Sequence, residues 1–425
     1  MATLNASFEF TVQRCEPELV APAKPTPREI KQLSDIDHQI SLQYHAPFVQ
    51  IFAHSPSMQG ADPAKVIREA LAQALVFYYP FAGRMREGPD KKLIVDCTGE
   101  GVLFIEAEAD VTLEQFGDPI KPPIPCFDEL LHNVPGSDGM LNSPLLLFQV
   151  TRLKCGGFIV ANRFNHAICD GIGIVNFLIC VGEMARGANA PSILPVWQRE
   201  VLNARDPPCI TYTHKEYVVV DEDHVPDAKG KALESESLVH RSFYLGAEEL
   251  SNVGRLFPSH LQPSTKFEML TACIWKCYAI ASESPNPNEE LFFQVTVNAR
   301  TKFNPPIPKG YYGNVVAMPV STTTVGNLCS NSLGYALELV RKAKFEVNEE
   351  YMKSLADLIA IKRGQLKSVQ PYELTDLRHI GYDQVDYGWG EAVYSGTPNA
   401  WPYDNILGAA TYYVPFKTKK GRLVL

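Results

Sequence analysis

The sequence has no long apolar run. Nothing in its 425 residues approaches the roughly 18 consecutive apolar positions of a membrane-spanning helix. The N-terminal "MATLNASFEFTVQRCEPELV" alternates like a strand, carries Glu9 and lacks the apolar core of a secretory signal. The expectation is a cytoplasmic protein that makes no membrane contact. CxxC pairs are missing too. Ten cysteines are scattered along the chain, and the nearest two, Cys273 and Cys277, fall in the helix-like "FEMLTACIWKCYA", the distribution of buried reduced thiols. No basic run is long enough to follow a phosphate backbone, and 39 Lys and Arg against 48 Asp and Glu leave a net charge of -9, so nucleic acid is excluded as a partner. GxSxG is absent, which removes a serine presented on a nucleophile elbow.

What is present is the composition of a folded chain, 45% hydrophobic and 20% charged, at a length beyond one compact core. Two lobes with a cleft are the natural arrangement. Residues 62–80, "DPAKVIREALAQALVFYYP", offer Asp62 as a cap, Pro63 at the first helical position, and Ile67, Ala70, Leu71, Ala74 and Leu75 on one face until Pro80. Strand-like pieces follow, "KLIVDC", "GVLFIEAEA", "LLLFQVTRL" and "GFIVANRF". Helices and strands are mixed, which indicates a layered α/β or α+β architecture. Between about residues 187 and 236 the periodicity dissolves into Pro-rich, charged sequence, read as a crossover, after which the same mixture is rebuilt. The domains expected are an N-terminal lobe over 1–187, a linker over 188–236 and a C-terminal lobe over 237–425, with a segment near 386–406 packing on the N-terminal lobe.

Chemistry concentrates at "RFNHAICDGIGIVNF", residues 163–177. Alternation puts Phe158, Val160, Phe164 and His166 on one side of a strand, and a helix opens at about Gly171, so His166 stands at a strand end and Asp170 at a helix start. Asp170 could simply cap that helix, and His166 could be a satisfied structural residue. A metal site lacks a third ligand at suitable spacing. A dinucleotide fingerprint lacks its third glycine, since Asn176 stands there, and lacks the later acidic residue. The sharper reading left is a histidine acting alone as general base.

His166-Ala167-Ile168-Cys169-Asp170-Gly171 resembles the HxxxDG motif of the plant BAHD acyltransferases, and Asp386-Tyr387-Gly388-Trp389-Gly390 resembles their DFGWG motif with Tyr387 in place of Phe. "LSDID" (33–37), "YYPFAGRMR" (78–86), "CTGEGVLF" (97–104) and "NARTKFNPPIPKGYYGN" (298–314) follow the family order over nearly the whole chain. The resemblance is strongest to the alcohol acyltransferase and benzyl alcohol benzoyltransferase branch. It implies two chloramphenicol-acetyltransferase-like lobes, each a mixed β-sheet with helices, joined by a long crossover, with a channel that admits acyl-CoA at one end and an alcohol at the other. Acyl-CoA is then a co-substrate, with no permanently bound cofactor, no metal and a monomeric enzyme. Two departures stand out. The chain ends soon after "GRLVL", earlier than family members usually do, which is read as a C-terminus cut short, and "LTDLRHIGYDQV" precedes the second motif where many relatives carry a Thr-Arg-Ala-Gly type sequence.

The resemblance also assigns roles. His166 is the base, and Asp170 points away from substrate toward Arg300, which the alternation of "LFFQVTVNAR" places on a polar face at a strand end. Trp389, flanked by Gly388 and Gly390, offers an indole N–H to the oxyanion, and Asp386 fixes its loop. Gly171 opens the helix, Asn314 lies near the channel, and Ser264 and Thr265 lie near the CoA chain. A hydroxycinnamoyl-CoA transferase, a terpenoid or taxane O-acyltransferase, and an inactive BAHD-like binding protein are the alternatives.

Overall fold

The computed structural model describes residues 8–220, 240–369, 371–399, 410–418 and 421–424. It is a two-lobed α/β molecule. Asp62 accepts a hydrogen bond from the Ala64 N–H at 3.2 Å, and Pro63 needs no partner, so the helix Pro63–Phe77 begins where the sequence pattern places it. Its face of Ile67, Ala70, Leu71, Ala74 and Leu75 is buried on the core of the first lobe.

The sheet beneath that helix has seven strands. Val102–Ala109 runs parallel to Leu146–Leu153, Phe158–Asn165 returns antiparallel to the latter, and His45–Phe52 lies antiparallel beyond it. Phe48, Phe148, Phe158 and Val160 point to the face that the helices Pro63–Phe77 and Gly171–Ala185 cover. In the second lobe a four-stranded sheet sets Glu290–Val295, Tyr372–Asp376 and Ala410–Tyr413 side by side in parallel, with Val320–Thr324 antiparallel at one edge. The helices Lys266–Ala281, Leu333–Glu346 and Glu349–Ile361 bury Trp275, Val340 and Leu355 in its core.

The two lobes are joined at two places. Over its described part, 188–220, the crossover is fastened rather than free. Trp197 Nε1 donates to the Gln32 carbonyl at 3.1 Å, Tyr217–Val219 pairs with Leu366–Ser368, and the buried His214 ring joins Glu216 at 3.1 Å to the Ser354 hydroxyl at 3.0 Å. Hydrogen bonds and buried charges hold this segment, so it shows no apolar period. Residues 221–236 lie outside the described residues.

The second joint lies around the segment expected to pack on the N-terminal lobe. After Asp376 the chain crosses back, placing Tyr382, Val385, Tyr387 and Trp389 in the core of the first lobe, and Tyr394–Gly396 extends the first sheet by pairing with His45–Phe52. Ala410–Tyr413 then rejoins the second sheet beside Tyr372–Asp376. Of the segment 386–406, residues 400–406 lie outside the described residues. Among the described residues no helix is long and apolar enough to cross a membrane, and no group of His, Cys, Asp and Glu could hold a metal ion.

Candidate active site

Both lobes line a chamber of about 2210 Å³, and His166 stands in its wall. The strand Phe158–Asn165 ends one residue earlier, and the helix Gly171–Ala185 begins five residues later, so the imidazole sits on the turn that joins them. That helix cannot carry a side chain at Gly173, where a Cβ would meet the Tyr312 carbonyl oxygen at 2.1 Å, nor at Gly182, where it would meet the Asp386 carbonyl oxygen at 2.5 Å. Gly173 and Gly182 therefore serve close packing of this helix against the chain.

The His166 ring stacks on Tyr44 with centroids 5.2 Å apart and tilts against Phe164 at 5.4 Å, while its backbone N–H donates to the Tyr44 carbonyl at 2.9 Å. Nδ1 is buried, which leaves Nε2 as the nitrogen a substrate in the chamber can reach. Burial lowers the pKa of the ring below its ordinary value near 6.5, against the opposing charge of Asp170 and the Asn314 side chain. A neutral imidazole facing a cavity is a general base in waiting. Cys169, in the same motif, is fully buried, and burial drives its thiol pKa well up, so it is no nucleophile.

Asp170 makes four contacts. Its Oδ1 accepts from the Gly173 N–H at 3.0 Å and its Oδ2 from the Val315 N–H at 3.1 Å, while Arg300 adds a fork of 2.7 Å through Nη1 and 2.9 Å through Nη2. Capping and ion pairing, weighed above as alternatives, coexist. Burial pushes the Asp170 pKa up, but the Arg300 charge and hydrogen bonds, with the two backbone donors, bring it below its ordinary value. None of these hydrogen bonds goes to the His166 ring; Asp170 is directed to Arg300 and to the backbone N–H groups of Gly173 and Val315, so it holds the turn on which His166 stands. Gly171 opens the helix with Ile380 packed 3.3 Å from where a Cβ would lie.

A second buried ion pair holds the same turn from behind. Arg199 and Asp37, 2% and 0% exposed, pair at 2.8 Å, and Arg199 Nη2 donates to the Ile168 carbonyl at 2.7 Å. Asp37 Oδ1 accepts from the backbone and side-chain N–H groups of Asn314 at 3.0 and 2.9 Å, and Asn314 Nδ2 also donates to the His166 and Ala167 carbonyls at 2.9 and 3.2 Å. Three consecutive carbonyls, from His166 to Ile168, are thus tied down by one network. The sequence reading missed Asp37 and Arg199 as functional residues. The available signal was "LSDID", noted without a role, whereas Arg199 lay in a crossover that no periodicity marked.

The second motif is placed elsewhere. Trp389 is not among the residues lining the chamber, and its ring meets Phe158 edge-on at 5.0 Å in the core of the first lobe. Phe158 is the far end of the 8-residue strand that leads to His166, roughly 23 Å of extended chain away. The oxyanion role expected of Trp389 is corrected by this placement: the indole is packing. Asp386 accepts at Oδ1 from the Gly388 and Gly390 N–H groups at 2.7 and 2.8 Å, and those glycines adopt φ values of 109° and 85°. Arg186, from the helix Gly171–Ala185's C-terminal end, donates to the Asp386 carbonyl, and Tyr387 donates to Gln50 at 3.0 Å. The motif clasps the returning chain to the first lobe. Removing an oxyanion donor costs roughly 10²–10³ in kcat. Trp389→Phe should lower kcat by less than about tenfold, and a larger loss in a stably folded variant would restore the indole to the reaction.

Thr265 caps the helix Lys266–Ala281, accepting from the Glu268 N–H at 3.2 Å, and lines the chamber with Lys266 and Lys344. Ser264 does not reach the chamber wall and donates instead to the Leu261 carbonyl at 2.5 Å.

A family model described as "Transferase family" matches residues 10–422. The chain belongs to the BAHD acyltransferase family. Benzyl alcohol O-benzoyltransferases from Petunia hybrida and Nicotiana tabacum are 56% and 55% identical to it over 418 residues, covering 98% of this chain and 89% of theirs. The crystal structure of vinorine synthase superposes with a TM-score of 0.69 at 21% identity, over 98% of this chain and 94% of that one, and shares its fold. Family and relatives make this an acyl-CoA-dependent O-acyltransferase acting on alcohols.

Proposed function

We propose that this BAHD enzyme transfers a benzoyl or acetyl group from acyl-CoA to a small, largely apolar primary alcohol such as benzyl alcohol, with His166 as general base. The observation that carries the proposal is the His166 ring: Nδ1 covered, the turn fixed by Asp170, Arg300 and Asn314, and the remaining nitrogen open to a chamber that Tyr44, Phe164, Met140 and Ile380 line. The branch-level resemblance to benzyl alcohol O-benzoyltransferases supports the choice of alcohol and acyl group.

In the reaction, Nε2 takes the hydroxyl proton as the alcohol oxygen attacks the thioester carbonyl. The tetrahedral oxyanion collapses, the C–S bond breaks, and the imidazolium returns the proton to the departing thiolate. Ester and free CoA leave, and no acyl-enzyme forms. Thr265 and Lys266, which line the chamber, are groups available to the CoA chain; Ser264 takes part only by holding the loop before Thr265. Both substrates must be bound before any bond breaks, so initial-rate plots at several fixed acyl-CoA concentrations should intersect. Parallel lines, or a protein heavier by one acyl group in intact mass spectrometry, would rule the mechanism out.

A further inference from the structure

Glu373 is a carboxyl that this reaction leaves unused. It lies on Tyr372–Asp376, in parallel register with Gln294 on the neighbouring strand, and it lines the chamber together with Gln294, Thr296 and Thr375. The wall continues from Gln294 through Thr296 and Asn298 to Arg300, the partner of Asp170 beside His166. Gln294 and Asn298 are four residues apart, so roughly 13 Å of sheet separates the carboxyl's level from the reacting end. Tyr44, also in the chamber lining, is tied to both: it stacks on His166, and the Glu373 charge acts on its phenol.

The carboxyl is incompletely satisfied by protein. Its Oε1 accepts from the Thr375 hydroxyl at 3.2 Å, and among the described residues no donor meets Oε2. Burial raises its pKa, and the Thr375 hydrogen bond pulls the other way. The side chain is half-buried in the chamber wall, and its free oxygen is a place where a ligand hydroxyl can hydrogen-bond. The chamber, about 2210 Å³, takes acyl-CoA as well as the alcohol, and its wall runs on from His166 to Glu373, which gives an alcohol a path longer than a benzyl group.

We propose that Glu373 is a specificity-determining residue whose free oxygen accepts a hydrogen bond from a second hydroxyl of the alcohol substrate, remote from the one acylated. The class of acceptor is an extended apolar alcohol with two hydroxyls roughly 10–13 Å apart. The inference rests on the chamber being the site of alcohol acylation, and the experiment separates the two.

With benzoyl-CoA as donor, kcat/KM is measured for n-octanol and for its terminal diol with the wild type, Glu373→Leu and Glu373→Gln. The wild type should favour the diol beyond the statistical advantage of two equivalent hydroxyls. Glu373→Leu should lower kcat/KM for the diol by about tenfold and leave n-octanol within about twofold, because only the diol loses a hydrogen bond to a carboxylate. Glu373→Gln keeps the shape and removes the charge, and it should cut the diol preference by about threefold; it decides the matter if the Leu variant does not fold. A wild type with no diol preference, equal effects on both alcohols, or a raised KM for benzoyl-CoA with both would overturn the proposal. Turnover of neither alcohol by the wild type would instead overturn the reading of the site.

Discussion

His166→Ala, saturated with acyl-CoA and alcohol, is expected to lose roughly 10²–10⁴-fold in turnover while keeping its fold. The loss falls on chemistry because the side chain is a half-buried wall of the chamber and not core filling. Its turn is held by backbone groups the substitution leaves in place, from the His166 N–H on Tyr44 to the carbonyls bound by Asn314 and Arg199. The pH profile supplies a second reading of the same group. Since burial lowers the imidazole pKa, the ring stays neutral as pH falls through 6.5, so kcat/KM should hold through that point and decline only below it. The decline should vanish in the variant's residual rate. A purified His166→Ala that keeps more than about half of the wild-type turnover would end the general-base mechanism.

The second large effect is expected at Asp170 and Arg300. Asp170→Asn retains an oxygen for the Gly173 N–H, and Asn caps a helix about as well as Asp. What it removes is the counter-charge of Arg300, whose side chain is only 14% exposed. Stranding one member of such a pair costs about 3–5 kcal/mol. Arg300→Leu should cost a similar amount from the other side, and the double variant clearly less than the sum, because neither charge is then left alone. Denaturant midpoints and kcat for the four proteins test this together, and additivity within about 0.5 kcal/mol would mean the pair is not coupled. The depressed pKa of Asp170 fixes the sign with pH: its stabilisation is present above the ordinary carboxylate value near 3.8 and is lost as pH falls through the lower folded value.

The parts of the fold visible in the sequence are those written in a short-range period. The cap at Asp62 and the stripe behind it specify one helix, the alternation ending at His166 specifies a strand and its exit, and the alternation from residue 291 leads to Asn298, after which the turn Arg300–Lys302 brings Arg300 to Asp170. Arg199 and Asp37 obey no period. They are 162 residues apart, and their burial is visible only once the lobes close around them. Trp389 misled for a related reason. A tryptophan between two glycines looks like a positioned donor, yet the glycines with positive φ serve Asp386's two hydrogen bonds, and the indole's neighbour, Phe158, lies on a strand far away in sequence.

The returning strand Tyr394–Gly396 also sets the order in which the molecule can be completed. Gln50 donates to the Ser395 hydroxyl at 3.1 Å across 345 residues, and Ile51 pairs with Tyr394. On the ribosome the first lobe therefore emerges with His45–Phe52 as an open edge and with the core positions of Tyr382, Val385 and Tyr387 still empty, until the chain has been made past Gly396. Loop closure over such a span precedes the contacts that reward it, which makes this pairing a late event in folding. The two lobes cannot mature one after the other: the nascent first half must wait, sticky at one side, for the strand that closes it.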